Sequence, residues 1–410
     1  MKRYRKFMSH IMMLFLIVSS CNLSVAIEEQ EVKAAKGDQI IDGVFVVNGT
    51  RLEDYIGEEE HVIVPDGITC ITQGTFTGCQ VKTITLPDSV VEIEASSFAS
   101  CPLLEKVTFS NNVKKIGWMA FWNSEKLKEI SFMEGVEEIG SSAFAETLWL
   151  EEQRKKDPFV VVNTMLVDGK TCKGDVEIPN TVTEIVGDAF SNNGDLISIT
   201  IPDSVKKIGS AFDDCRHLKT VKMGNGVEEI DSQAFRFCTR MENIRLSNSL
   251  KVIPDLLLEN CGKLEEITIP ESAKEISLYA FRNCKKLKAI TLPNSFEIPD
   301  PSLDEFRLGY SDNLTIYGYN VKNSEILQKI AKENGIPCKE LALTTKAKTL
   351  KPKQSYRLKL NSGAKCTWKS SKPSVASVNY YGLVKAKKKG TTTITATIYG
   401  QKYTCKITVK

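Results

Sequence analysis

The chain has 410 residues, 42% of them hydrophobic and 26% charged, too apolar for a disordered chain and too polar for a multispan membrane protein. Its formal net charge of +3 hides a division into three. Residues 1–26 carry four basic residues and no acid, residues 342–410 carry 15 Lys, one Arg and no acid, and residues 27–341 hold the remaining 34 bases against all 51 acids, a net of −17. Opposite signs on successive segments imply separate surfaces with separate partners.

At the N-terminus, Lys2, Arg3, Arg5 and Lys6 precede an apolar run from Ile11 to Val18, which reads as a secretory signal over residues 1–26. The run is too short to span a bilayer. Val18-Ser19-Ser20-Cys21 resembles the bacterial lipobox, whose cysteine is lipidated, while Ser24-Val25-Ala26 suits ordinary signal peptidase. Either ending predicts a protein outside the cytoplasm, secreted or at the cell surface, and only lipid on Cys21 would tie it to a membrane. Residues 27–42 are expected to form a linker.

From residue 43 a repeat takes over. Phe76, Phe98, Phe121, Phe144, Phe190, Phe212, Phe235, Leu258 and Phe281 recur at 22 or 23 residues, except for one interval of 46 between Phe144 and Phe190. Around them the frame reads Leu264, Ile267, Ile269, Pro270, Ile276, Phe281, Cys284. Alternation in Ile267-Thr268-Ile269 and Ile199-Thr200-Ile201 marks a short strand with one side buried. One strand per coil pairs only with the same strand of the next coil, which predicts a parallel ladder. Cys79, Cys101, Cys215, Cys238, Cys261 and Cys284 follow the column residue by three, and Ser124 and Asn193 fill the same slot. Metal ligands or obligatory bridges would not tolerate that exchange, so the slot reads as buried small side chains.

This frame resembles the BspA type leucine-rich repeats, found in surface proteins of oral and gut bacteria and of some protozoan parasites. The resemblance implies a mainly β fold: a right-handed leucine-rich repeat solenoid with a parallel strand ladder over residues 43–298 and a helical cap over 299–341. Phe45-Val46-Val47-Asn48 and the stretch from Phe159 match that family's longer units, the second with a hairpin in place of the Ala-Phe column. A helix over about 324–334 belongs to the cap.

The register predicts two surface columns. Thr85, Thr108, Ser131, Glu177, Thr200, Lys222, Arg245, Thr268 and Thr291 form a ladder on the exposed side of the sheet. It reflects either plain strand propensity or a recognition face for a host or bacterial surface protein or glycan, with Glu177, Lys222 and Arg245 the informative members. Lys114-Lys115, Glu137-Glu138, Thr183-Glu184, Lys206-Lys207, Glu228-Glu229, Lys251 and Lys274-Glu275 largely alternate in sign between coils, which marks a register device.

Residues 342–410 change language: threonine-rich and valine-rich runs separated by lysines. Strands are expected at Thr349–Leu360, Lys365–Lys369, Val375–Val378, Leu383–Ala386, Thr391–Tyr399 and Tyr403–Val409. Thr367-Trp368-Lys369-Ser370-Ser371, Pro373 to Val378, Gly382-Leu383-Val384 and Gly390-Thr391-Thr392 resemble the bacterial Ig-like domain of group 2, implying a C-terminal Ig-like β-sandwich with Trp368 as core aromatic and Gly382 at a hairpin turn. Cys366 and Cys405 are expected to face the interior, as a bridge or as two thiols. Lys346, Lys348, Lys351, Lys353, Lys385, Lys387, Lys388 and Lys389 either dock to a polyanion, such as an anionic cell-wall polymer or the acidic solenoid, or keep strand edges soluble.

No catalytic, metal or cofactor motif stands out. His61 and His217 sit inside coils without a motif-bearing nucleophile nearby, and no HExxH, Walker or GxSxG pattern occurs. The expectation is an exported, adhesin-like binding protein that is not an enzyme and does not bind nucleic acid; the competing class is a structural envelope component without a ligand.

Overall fold

A coil that closes in 22 or 23 residues has one apolar side and cannot bury it without a neighbour. The computed structural model describes residues 38–410 except 132, 278 and 294–312. The expected signal segment with Cys21 lies outside the described residues. Two compact units result, residues 38–172 with 182–190 and residues 173–181 with 191–410.

The first unit opens with antiparallel Gln39–Ile41, Phe45–Asn48 and Arg51–Tyr55. Gln39–Ile41 is therefore a paired strand, where a linker was expected. His61–Ile63, Thr83–Thr85, Lys106–Thr108 and Glu129–Ser131 then stack in parallel register. Each coil also contributes a second strand, which corrects the expectation of one: Cys70–Ile71, Glu92–Ile93, Lys115–Ile116 and Glu138–Ile139 form their own parallel ladder. At two residues apiece these strands are too short to show alternation.

Between the ladders runs a file of rings. Centroids lie 5.0 Å apart for Tyr55 and Phe76, 5.2 Å for Phe76 and Phe98, 5.2 Å for Phe98 and Phe121, and 5.8 Å for Phe121 and Phe144. Phe45 packs on Tyr55, and Trp149 packs on Phe144 at 4.6 Å. Trp149 belongs to a helix, Leu148–Lys156, absent from the sequence reading; Thr147 caps it by accepting from the Leu150 N–H at 3.2 Å. Arg154 of that helix forks onto buried Asp168, donating from Nε to Oδ1 at 2.9 Å and from Nη2 to Oδ2 at 2.7 Å. Asp168 ends the hairpin Val160–Val162 and Met165–Asp168, as the sequence led us to expect.

The turns beside the rings are costly for the chain. Ser96 and Ser100 flank Phe98, and Met119 and Asn123 flank Phe121, all with positive φ, a conformation that costs a non-glycine residue about 1–2 kcal/mol. Hydrogen bonds between coils hold it: Phe98 N–H donates to Ala120 O at 2.7 Å and Ser100 N–H to Trp122 O at 2.7 Å.

In the second unit Gly174–Glu177, Leu196–Ile201, Thr220–Met223 and Asn243–Arg245 form one parallel sheet. A second contains Glu266–Thr268, Ala289–Thr291, Thr315–Gly318 and Cys338–Glu340. The expected cap helix is Glu325–Asn334, with Ser324 accepting from the Leu327 N–H. Beyond it, Ala347–Leu350, Gln401–Val409, Gly390–Ile398 and Thr367–Ser370 make a four-stranded sheet, and Ser355–Arg357, Leu383–Ala386 and Ala376–Val378 a three-stranded one. Leu350, Leu358, Val384, Ile394 and Ile407 fill the core between them. Two expectations need correction here, and a third, that Cys366 and Cys405 face the interior, is met. Thr349–Leu360 is not one strand but two, separated by a turn in which Lys353 has φ 70. Trp368 is half-buried at the rim, against Gly382, where a Cβ would lie 2.8 Å from the indole and φ is +72. Cys366 is half-buried while Cys405 is buried, and both are free thiols.

The cysteine slot asks for more than small size. Sγ of Cys101, Cys238, Cys261 and Cys284 donates to the column residue one coil earlier, Phe76 O at 3.0 Å, Phe212 O at 3.3 Å, Phe235 O at 3.3 Å and Leu258 O at 3.1 Å. Ser124 does the same to Phe98 O at 2.7 Å. Burial pushes these thiols up, Cys284 to about 12, so they stay protonated and unreactive at neutral pH. Cys261→Ser should therefore shift the denaturation free energy by less than about 1 kcal/mol, whereas Cys261→Val, which takes the Sγ donor from the buried Phe235 carbonyl, should cost about 1–3 kcal/mol; urea titration of both variants checks this.

Candidate functional site

Stacking converts each sequence position into a column, and the columns differ in how their charges are arranged. Lys114 meets Glu137 at 2.9 Å, Lys115 meets Glu92 at 3.4 Å and Glu138 at 3.7 Å, and Lys251 meets Glu228 at 3.1 Å. A further alternating column escaped the sequence reading: Glu60 with Lys82 at 2.7 Å, Glu105 with Lys128 at 3.0 Å and Glu265 with Lys288 at 3.0 Å. Being exposed and screened by solvent, these pairs add little to stability, and their effect is to hold register.

The ladder positions behave otherwise. In the first unit Thr85 and Thr108 are in register, as are Thr108 and Ser131. Ile63 heads the same column at 76% exposure, a member the sequence reading missed because it looked for polar residues. In the second unit Glu177 pairs with Thr200, Thr200 with Lys222 and Lys222 with Arg245. The column then breaks, because Asn243–Arg245 ends one sheet and Glu266–Thr268 begins the next. Thr268 and Thr291 are in register again, but Thr291 is buried, its hydroxyl without a partner among the described residues. The expected exposed face therefore fails at its last member.

The reason is Tyr399, at the tip of the hairpin Gly390–Ile398 and Gln401–Val409. Its buried hydroxyl lies 2.6 Å from Ile269 O and 3.1 Å from Thr291 O and donates to them. Burial holds its pKa well above the ordinary tyrosine value, so it remains a donor throughout the physiological range. Gly363, φ +76, lies against Glu266 so closely that a Cβ would meet the carboxylate. The Ig-like module thus sits on the strand face of the last coils. Between them opens a cleft of about 420 Å³, to which the coils contribute Asn243, Arg245, Asn248, Glu266, Thr268 and Glu271 and the module Lys365, Cys366, Thr367, Tyr380, Thr397 and Tyr399.

All eight lysines of the expected polyanion surface are exposed. Lys353 N–H donates to Ala386 O at 2.9 Å, and Lys387 N–H to Val375 O at 2.8 Å, which gathers Lys351, Lys353, Lys385, Lys387, Lys388 and Lys389 at one end of the three-stranded sheet. Lys346 and Lys348 lie apart, at the strand Ala347–Leu350, with Lys348 Nζ 4.7 Å from the Tyr356 ring centroid. Lys410, whose N–H donates to Leu350 O at 3.1 Å, adds a charge beside Lys351 that the sequence reading did not include. Among the described residues none of the eight has a carboxylate within ion-pair distance, and the contacts that seat the module on the coils use Tyr399 and Gly363 instead.

Cys70, Glu92 and Glu94 bring their ligand atoms within 4.8 Å of one another. The group is an ion-pair knot: Arg51 donates to Cys70 Sγ at 3.4 Å and to Glu94 Oε1 at 2.6 Å, and Lys115 reaches Glu92. Burial pushes the Cys70 thiol up to about 12. Burial also acts to raise Glu94, but the hydrogen bonds from Arg51 and the Gln73 N–H outweigh it and hold that carboxyl below its usual value.

Two consequences are measurable. Tyr399→Phe removes the bond to two buried carbonyls and should destabilise the seated module by about 1–3 kcal/mol, read as earlier unfolding of the Ig-like module by hydrogen exchange, with the rest of the protection pattern unchanged. Glu266 is held above the ordinary carboxyl value, chiefly by desolvation, against the opposing pull of Lys365 and Lys359. A carboxyl whose pKa is higher folded than unfolded keeps its proton longer in the native state, so its charging costs stability as pH rises from about 4.5 through the raised value. Glu266→Gln should remove that loss: its denaturation midpoint should exceed that of the parent protein at neutral pH and converge with it as pH falls below about 4.5.

The comparisons with known proteins come down on the repeat. The BspA type leucine rich repeat region matches in six copies over residues 56–164 and 170–288, and the bacterial Ig-like domain (group 2) matches residues 340–407. No curated protein is a significant match. Among solved structures, a leucine rich cell surface protein from Faecalibacterium prausnitzii is 22% identical, with 76% of this chain and 99% of that one covered and a TM-score of 0.31. A leucine-rich repeat protein from Bacteroides ovatus is 21% identical, with 78% and 77% covered and a TM-score of 0.36. A T. pallidum leucine rich repeat protein is 28% identical, with 40% and 85% covered and a TM-score of 0.32. With the column residues, the small-donor slot and the paired strands all recurring across those two matched stretches, the chain belongs to the BspA type leucine rich repeat family and carries a group 2 bacterial Ig-like domain after its repeats.

Proposed function

We propose that this is a cell-surface binding protein whose outward strand residues recognise a host or bacterial surface protein or glycan, with Lys222 and Arg245 at the centre of the contact. The observation that carries this reading is their sign. Other charged columns largely alternate between coils, Lys251 beside Lys274 being an exception, whereas in the outward strand column Lys222 and Arg245 are direct register partners of like charge, both exposed. Neither has a carboxylate within ion-pair distance among the described residues, and Arg245 reaches only Asn225 Oδ1 at 3.5 Å. Like charges directly opposite each other destabilise a sheet, so the arrangement works against the fold and in favour of an anionic or hydrogen-bonding partner.

The basic Ig-like module serves, in this reading, as a spacer or as a contact to an anionic wall polymer through its unpaired lysines. Surface location rests on the signal-like N-terminus, with or without lipid on Cys21, and on the occurrence of this repeat family in surface proteins. Among the described residues no helix is long and apolar enough to cross a membrane. Both matched families are named for repeat or Ig-like architecture, and no catalytic step is proposed.

Lys222→Glu combined with Arg245→Glu should lower retention on target cells or matrix by roughly tenfold or more. The melting temperature should not fall. Unchanged retention would favour the structural envelope component without a ligand.

A further inference from the structure

We infer that the cleft between the split ladder and the Ig-like module is a binding site for a short neutral oligosaccharide. This rests on the binding reading above and names a site and a ligand class for it. Its volume, about 420 Å³, falls within the ordinary range for small-ligand sites, roughly 300–1,000 Å³.

Its position follows from the break in the strand ladder. Asn243–Arg245 and Glu266–Thr268 belong to different sheets, and the cleft lies over that division, with Asn243, Arg245, Glu266 and Thr268 all turned into it. The two strands still approach within 8 Å, Cα to Cα. An inserted peptide strand would need about twice the 4.8 Å ladder spacing, so recognition by strand addition has no room, and side chains must do the work.

Those side chains favour a hydroxyl-bearing ligand. Arg245 and Lys365 oppose Glu266 and Glu271, so the lining carries no net formal charge and gives neither a polyanion nor a polycation an advantage. Asn248 and Thr268 both donate and accept, as sugar hydroxyls do. Tyr380 supplies the apolar platform that the C–H face of a pyranose packs on. It lines the cleft yet remains 56% exposed, and the Tyr381 ring sets its orientation edge-on, with centroids 5.4 Å apart at 85°. The turn that presents both rings is fixed by Asn379 Oδ1, which accepts from the N–H groups of Tyr381 and Leu383 at 3.0 Å each. Exposed paired aromatics have no role in the module's core and are unfavourable to leave in water.

The test is calorimetric titration of the full chain with short oligomers of glucose, galactose, mannose and N-acetylglucosamine, alongside sulfated oligosaccharides and a short-peptide mixture. Saturable binding of at least one neutral oligomer is expected. Tyr380→Ala and Asn248→Ala should each weaken it about tenfold, the ordinary worth of an aromatic or paired polar contact, with unchanged melting temperatures. Lys263→Glu, exposed on the coils and outside the cleft, should leave that affinity as it is. Binding of only the sulfated oligomers or only peptides, no binding at all, or binding indifferent to both cleft variants would overturn the inference. In those cases cell retention still lost on charge reversal at Lys222 and Arg245 would leave the strand-face reading standing, and retention unaffected by it would bring down both.

Discussion

Everything in the coils depends on one commensurability. Stacked rings 4.9 to 5.8 Å apart in the files Phe76 to Phe144 and Phe212 to Phe235 match the spacing of hydrogen-bonded strands, about 4.8 Å. Coils of 22 residues, Phe76 to Phe98, and of 23, Phe98 to Phe121, both meet it at 5.2 Å, so the extra residue is taken up in the turns and not in the file or the ladder. The turns beside the rings accept positive φ at Ser96, Met119 and Gln233 because only a tight reversal brings the chain back in step. The slot after each ring is small for the same reason, and it is a donor because the tight turn leaves a carbonyl of the preceding coil within reach of its side chain.

Once stacking has fixed register, surface chemistry becomes one-dimensional. A position in the repeat is a column, and whether signs alternate or repeat along it distinguishes residues that support the stack from residues that do not. Glu105 with Lys128 and Lys114 with Glu137 are of the first kind; Lys222 beside Arg245 is of the second. Thr291 belongs to neither, since the seated module covers it. The seating starts from the cap: Leu341 N–H donates to Gly318 O at 2.8 Å, and Asn361 accepts from Ala342 N–H at 3.1 Å while donating to Glu340 O at 2.8 Å. The passage from the last cap strand into the Ig-like module is thereby hydrogen-bonded on both sides, and its direction is set before Tyr399 makes its contact.

What was legible in the sequence was whatever repeats. The ring column, the small slot, the sign alternation and the strand at each Ile-x-Ile follow from period alone, and the cap helix expected over about 324–334 is Glu325–Asn334. The helix Leu148–Lys156 had its own signals, a Thr147 cap, a run of helix formers and Pro158 after it, but it lies in the 46-residue interval, where attention to the period reads only an irregular coil. Two-residue strands such as Glu92–Ile93 are too short for any periodicity. The Tyr399 contact spans more than a hundred residues between a hairpin tip and two backbone carbonyls, and backbone acceptors leave no trace in side-chain pattern. Trp368 and Cys366 alternate correctly with their neighbours, but the strand runs to the rim of the sheet, so facing inward there does not mean being covered.

The seated module also changes what the strand face is able to do. A bare parallel face presents side chains at one height, so a ligand touching it keeps most of its surface in water, and affinity has to come from area or from charge. A wall standing over the last strands makes the same side chains one half of a concavity, in which a small ligand loses water from both sides. The division of the ladder between Arg245 and Glu266 lies under that wall, where outward side chains from two sheets and the Tyr380 turn converge. A solenoid that carried its Ig-like module on a free linker would have the open face alone. This chain has both surfaces: an open run from Glu177 to Arg245 suited to a large partner, and beside it a cleft with the size and polarity for a small one. Arg245 belongs to both, so a ligand in the proposed cleft site would lie directly beside the charge that the open face presents.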